Sequence, residues 1–128
     1  MSNNAKPADA APPLDPHIIK HYHAHIYYDG RLTREQAARL REQVSAAFPS
    51  ATLGRWHDAP VGPHPRGSCQ LSFSPELMGP VIAWLMLNRG ELTVFAHAMT
   101  GDALKDHTDH VLWLGASEPL NLAALSRA

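Results

Sequence analysis

The stretch His17 to Tyr28, HIIKHYHAHIYY, constrains the rest of the chain, because histidines 21, 23 and 25 recur at every second residue. In an extended strand successive side chains point to opposite faces, so these three share one face while Tyr22, Ala24, Ile26 and Tyr28 share the other. The second set can sit on a core. The first set carries a His-x-His pattern, and neutral imidazoles projecting from neighbouring positions of one face can converge on a single metal ion. A solvated sheet face or a tag-like tract would show the same alternation.

Such a strand needs partners, and the chain holds material for one domain: 128 residues, 45% of them hydrophobic. Eleven Lys and Arg against twelve Asp and Glu give a formal charge of -1. That balance supplies no basic face for nucleic acid or an anionic membrane, so a small-molecule partner is expected. Cys69 stands alone, which excludes an intrachain disulfide, a thiolate zinc ribbon and an iron–sulfur centre, and fits a reducing cytoplasm. No apolar run reaches the ~18–20 residues that span a bilayer, and the N-terminus lacks the apolar region of a secretory signal. Residues 1–16, rich in Ala, Pro and small polar residues, read as a disordered tail, and residues 17–128 as a single domain.

The first strand covers about residues 20–28 and closes at Asp29-Gly30, a turn pair. Thr33 and Gln36 then form a capping-box spacing, and Ala37, Leu40, Val44, Ala47 and Phe48 follow at helical intervals until Pro49. Its charged outer face reads as ordinary solvated surface. Residues 51–57 alternate weakly as a second strand, followed by the Pro- and Gly-rich loop DAPVGPHPRG, next to His57 and carrying His64. Residues 67–73 form a third strand with Cys69, Leu71 and Phe73 on one side and Ser68, Gln70 and Ser72 on the other. Ser74-Pro75 opens a second helix with the stripe Leu77, Met78, Val81, Ile82 and Leu85, irregular near Pro80 and capped at Gly90. Residues 92–99 are a fourth strand. The remainder holds His107 and His110 near Trp113, then a short helix from Pro119.

Strand, helix, strand, strand, helix, strand is the split β-α-β-β-α-β order of the ferredoxin-like sandwich, an α+β fold with a four-stranded antiparallel sheet and two helices on one face. Its first and third strands lie centrally and the fourth lies beside the first. Placing Tyr22, Ala24, Ile26, Leu71, Phe73, Val94 and Ala96 beneath the helices puts His21, His23, His25, Gln70 and His97 together on the open face. His97 should then pair close to His21 or His23. His64 joins them only if its loop folds over that face or arrives from another subunit. His57 and His110 read as surface or packing residues.

The segments HYHAHIYYD, WHDAPVGPHP, LTVFAHAMTGD and DHTDHVLWLG, taken in order, resemble the DOPA 4,5-dioxygenase-like family of small aromatic ring-opening dioxygenases over about residues 18–114. The family's His-x-His strand corresponds to His23 and His25, its Gly-Pro-His-Pro loop to His64, its strand-end histidine to His97, and its Asp-His before Trp-Leu-Gly to His107 with Trp113. One departure is Ala98, where proline is expected in many relatives. The resemblance implies extradiol cleavage of a catechol such as 3,4-dihydroxyphenylalanine by ferrous iron and dioxygen, leaving a muconic semialdehyde. It suggests metal ligands drawn from His23, His25, His64 and His97, with His107 as an acid/base or outer residue. No carboxylate falls on the proposed histidine face, so a mainly histidine-ligated centre is expected. Tyr27 and Gln70, on that same face, are suited to hydrogen-bond substrate oxygen, and Tyr27 is carried forward with His107 as catalytic. Trp56 and Phe95 are suited to be apolar walls, and Arg55 and Arg66 to pair with a substrate carboxylate.

Two other classes compete. One is a non-catalytic small-ligand or metal-binding module, since a fold does not fix a function. The other is a zinc-dependent hydrolase or isomerase. A homodimer is expected, built through the sheet and through Leu120, Leu122 and Leu125 at the C-terminus.

Overall fold

The computed structural model describes residues 11–125. Its strands are β1 (His21–Tyr28), β2 (Thr52–His57), β3 (Gly67–Phe73), β4 (Thr93–Met99) and β5 (Val111–Leu114), and its helices α1 (Gly30–Ala47), α2 (Met78–Asn88) and α3 (Ala103–Thr108). Every strand pair is antiparallel, in the order β2-β3-β1-β4-β5. The fold is therefore α+β, with a five-stranded antiparallel sheet and three helices. The expected four strands and two helices are corrected by α3 and β5, each too short for its period to show in the sequence.

β1 lies at the centre, between β3 and β4, as the alternation requires. Ala24, Ile26 and Tyr28 from β1 pack with Cys69, Leu71 and Phe73 from β3 and with Val94 and Ala96 from β4. Ala37, Leu40 and Val44 of α1 and Val81, Ile82 and Leu85 of α2 close that layer. Cys69 is buried within it, where loss of hydration pushes its thiol up to about 12 and leaves it inert.

Local signals moved in three places. α1 starts at Gly30, ahead of Thr33, with Asp29 at the N-cap; Gly30 turns the chain at φ +70°, and the Thr33 hydroxyl closes back on the backbone of Asp29. Thr33 thus supports the first turn from inside the helix. Pro75–Leu77 forms a 3₁₀ turn before α2, so Pro80 falls in the first turn of the helix, where its missing N–H has no helical acceptor to lose. The expected helix after Pro119 is one 3₁₀ turn at Leu122–Ala124. Leu120 and Leu125 are half-buried and only Leu122 is exposed, so the C-terminal leucines offer no continuous apolar face.

Residues 1–10 of the expected tail lie outside the described residues; 11–15 are exposed, and Pro16–Ile18 makes a 3₁₀ turn capped by Asp15. Among the described residues no helix is long and apolar enough to cross a membrane.

Gly67 opposes Tyr28 across the β1–β3 pair, and a Cβ there would lie 2.8 Å from the Tyr28 ring and 3.1 Å from the His57 carbonyl oxygen. Tyr28 cannot swing aside freely, because its hydroxyl is held between His57 O at 2.7 Å and Asp58 Oδ1 at 2.8 Å. Gly67→Ala is expected to destabilise the fold by ~1–3 kcal/mol through overpacking, read as a lowered midpoint in urea unfolding.

Candidate metal centre and catalytic cavity

The face of β1 opposite the helices carries His21, His23, His25 and Tyr27, and the register sets His23 directly against His97 of β4. That is the pairing the topology predicts. The face is not left open, however. The loop between β2 and β3 brings His64 over it, and α3 brings His107 against it, their rings lying 4.0 Å from His25 and 4.1 Å from His97 respectively. Within the chain, the loop itself folds over the face and delivers His64.

The turn that positions His107 depends on Asp106, a buried carboxylate at 1% exposure. Its oxygens accept from the Thr100 N–H and the Thr100 hydroxyl, both at 2.7 Å, so a charge that would be costly alone is satisfied and α3 is locked to the end of β4. Asp102 caps α3 by accepting from Lys105 N–H. The sequence shows Asp106 only as one of several acidic residues near the tail.

One imidazole nitrogen from each of His23, His25 and His97 lies within 4.8 Å of the others. His97 Nδ1 donates to the Ala98 carbonyl at 3.0 Å, which leaves Nε2 as a lone pair. That Nε2 is 3.1 Å from His25 Nε2. Two nitrogens each ~2.1 Å from one cation at neighbouring octahedral positions would stand about 3.0 Å apart, so the spacing fits a chelating pair. Ala98, the departure from the expected proline, contributes through its carbonyl, which a proline would also supply.

Electrostatics favour the ligating state. Burial, reinforced by His21 and His107, holds His23 down at about 4. Burial and then neighbouring imidazoles keep His25 well below its ordinary value, and burial takes His97 down to about 3. All three are thus neutral donors at neutral pH. The cluster is able to bind a metal ion, and its all-nitrogen donor set suits transition metals rather than calcium or magnesium.

The cavity beside this cluster has a volume of about 370 Å³. His23, His25, His64 and His107 line it together with Gln70, Ser68, Arg55, His57 and the apolar Val61 and Met99. Phe95 lies beneath the rings, stacked on Trp113 with centroids 4.5 Å apart. His107 Nδ1 donates to Ala103 O at 2.7 Å, so its Nε2 is the free nitrogen.

Several expected residues take other places. Tyr27 is fully buried, and its hydroxyl is bonded to His64 Nδ1 at 2.7 Å, so it holds an imidazole instead of reaching into the cavity. Arg66 is bonded through two nitrogens to Glu118 and lies outside the cavity wall, which leaves Arg55 as the wall's arginine. Trp56 faces the helices, with Arg34 and Arg41 over its ring. A bulge between Leu53 and Trp56 shifts the alternation by one, turning Trp56 inward and His57 toward the cavity. His110 lies outside the cluster, beside Thr100 and the segment around Ile18.

Known proteins resemble this chain in sequence and in fold. A DOPA 4,5-dioxygenase from Amanita muscaria is 37% identical over 114 residues, covering 84% of this chain and 50% of that protein. The chain thus spans half the length of that relative. An uncharacterized 21.2 kDa protein of Botryotinia fuckeliana is 35% identical over 90% of this chain and 68% of its own length. A crystal structure from Nostoc punctiforme, of a protein provisionally described as a dioxygenase, superimposes with a TM-score of 0.86 at 45% identity, covering 90% of this chain and 98% of its own. The family model of the Dopa 4,5-dioxygenases matches residues 22–124, and with the histidine cluster, its loop and α3 all inside that span, the chain belongs to the Dopa 4,5-dioxygenase family.

Proposed function

We propose that the cavity is the active site of a non-haem iron(II) extradiol dioxygenase that opens the ring of a catechol bearing an acidic side chain, DOPA or a related dihydroxyphenyl acid, to a muconic semialdehyde. The observation that carries this reading is the convergence of three neutral imidazoles beside a cavity lined by three further imidazoles, His57, His64 and His107, and an arginine. His23, His25 and His97 would hold the metal. Ferrous iron, when bound, supplies Lewis acidity and open positions for the catechol oxygens and dioxygen.

The chain's own groups do the rest. His107 presents Nε2 as a lone pair, suited to accept a catechol hydroxyl proton and return it later. His64, tied at Nδ1 by Tyr27, meets the substrate through Nε2. From the cavity wall, the Gln70 amide would hydrogen-bond a substrate oxygen, and Val61 and Met99 would exclude water from the ring. Arg55, exposed at the rim of the cavity, pairs with the carboxylate.

The test is oxygen consumption by iron-loaded protein against a panel of neutral and acidic catechols, with visible absorbance followed in parallel. Uptake equimolar with substrate and a new yellow chromophore is expected. Full iron occupancy with no uptake on any catechol overturns the reading and favours a non-catalytic binding module. Arg55→Ala is expected to raise KM for acidic catechols by ~5-fold, a modest effect because the pair is solvent-exposed, while leaving KM for unsubstituted catechol unchanged.

A further inference from the structure

Arg66 and Glu118 make a contact that the chemistry above leaves unused. Arg66 donates from Nε to Glu118 Oε1 at 3.0 Å and from a terminal nitrogen to Oε2 at 2.7 Å, a parallel pair of charge-assisted bonds that fixes orientation as well as distance. The side chains are 24% and 22% exposed, so this is not a loose surface pair. The guanidinium sits over the Tyr27 ring, 5.6 Å from its centroid.

A second tie comes from the same stretch of chain. Asn121 N–H donates to the Pro63 carbonyl at 2.9 Å, so the irregular segment after β5 grips the histidine loop at residues 63 and 66, on both sides of His64. His64 itself is 7% exposed, and its backbone N–H closes a turn on Val61 O. Among the described residues, the buried Tyr27 hydroxyl has His64 Nδ1 as its recorded partner. A phenol proton directed there obliges a neutral His64 to carry its own proton on Nε2.

We propose that Arg66 and Glu118 are positioning residues: their ion pair, with the Asn121 tie, clamps the loop and seats Tyr27 so that His64 is held in the Nε2-protonated form and aimed into the cavity. The segment after β5 therefore sets the geometry of an imidazole more than fifty positions earlier in the chain. The inference rests on the reading of the cavity as the active site.

Glu118→Gln and Arg66→Lys each remove the bidentate charged pair while preserving size. Each is expected to lower kcat ~10-fold through misplacement of His64, with KM and bound metal unchanged. The exchanged pair, Arg66→Glu with Glu118→Arg, made together with Asp29→Asn because the Asp29 carboxylate lies 3.6 Å from the Arg66 guanidinium, should recover most of that loss. Long-range proton–nitrogen NMR of the histidine rings in metal-free protein reads the seat directly: His64 should show an accepting Nδ1 and a protonated Nε2, and should average between tautomers in Glu118→Gln and in Tyr27→Phe. Unchanged His64 signals in those variants overturn the proposal. A fall in kcat that the exchanged pair does not rescue, accompanied only by lower thermal stability, overturns it as well. Absence of oxygen uptake by the unaltered protein would instead refute the proposed function, while the ring signals still decide the clamp.

Discussion

Replacing His97 with alanine is expected to remove bound metal and oxygen uptake together. His97 is 2% exposed, and the bond from its Nδ1 to the Ala98 carbonyl fixes both its ring and its tautomer, so the Nε2 lone pair is held 3.1 Å from His25 Nε2 before any cation arrives. Among the described residues no carboxylate or thiolate joins the cluster to replace it. Loss of an outer-shell partner already costs ~10–100-fold in metal affinity, and loss of a ligand costs more, so a fall of ~10³-fold or greater is expected. His107→Ala should behave differently. His107 stands outside the three-nitrogen group, and its removal should leave bound iron at the level of the unaltered protein while lowering kcat by ~10²–10⁴-fold, the range of a general acid or base. Metal analysis after dialysis, paired with oxygen uptake, separates the two, and near-ultraviolet circular dichroism shows that each variant is folded. A His97→Ala protein that keeps its iron and turns over refutes the ligand assignment.

How much of this site is legible in the sequence depends on whether each contact is periodic or incidental. The two faces of β1 follow from strict alternation, and the meeting of His23 with His97 follows from the strand order, because an antiparallel neighbour beside β1 must bring the end of β4 to its beginning. Strict alternation misleads in β2, where the bulge between Leu53 and Trp56 inserts one residue and exchanges the faces of Trp56 and His57. Nothing in LGRWH signals that bulge apart from Gly54, whose absent side chain lets the strand come close to Gln70. Arg66 shows the other limit. Its charge and its place beside the loop suit a substrate carboxylate, yet Glu118, fifty-two positions on, claims it through the irregular segment after β5. β5 itself escapes because VLWL is apolar at every position and has no period to read.

Metal-free protein is expected to lose stability as the pH falls below about 6.5. Burial is the leading cause for His64, held at about 4, for His97, held at about 3, and for His25, held well below the ordinary 6.5. A buried imidazole whose native pKa lies below its unfolded value takes up its proton in the unfolded chain first. The unfolded state therefore binds more protons throughout that window, and stability rises with pH. The contribution is complete above about 6.5 and is lost progressively as the pH drops toward 4 and then 3. Each fully engaged group gives a slope approaching ~1.4 kcal/mol per pH unit, so three acting together would consume most of a small domain's stability within two or three units. Urea unfolding at pH 7.5, 6.5, 5.5 and 4.5 in the presence of a chelator measures this. The midpoint should dip between the first two values and then fall steeply, and His97→Gln should flatten the slope by about one proton's worth. Bound metal should raise the neutral plateau and steepen the acid limb, because protons and metal compete for the same nitrogens. A midpoint unchanged from pH 7.5 to 4.5 would mean that these imidazoles are hydrated or charged in the native protein, and the dry, neutral cluster on which metal binding depends would not exist.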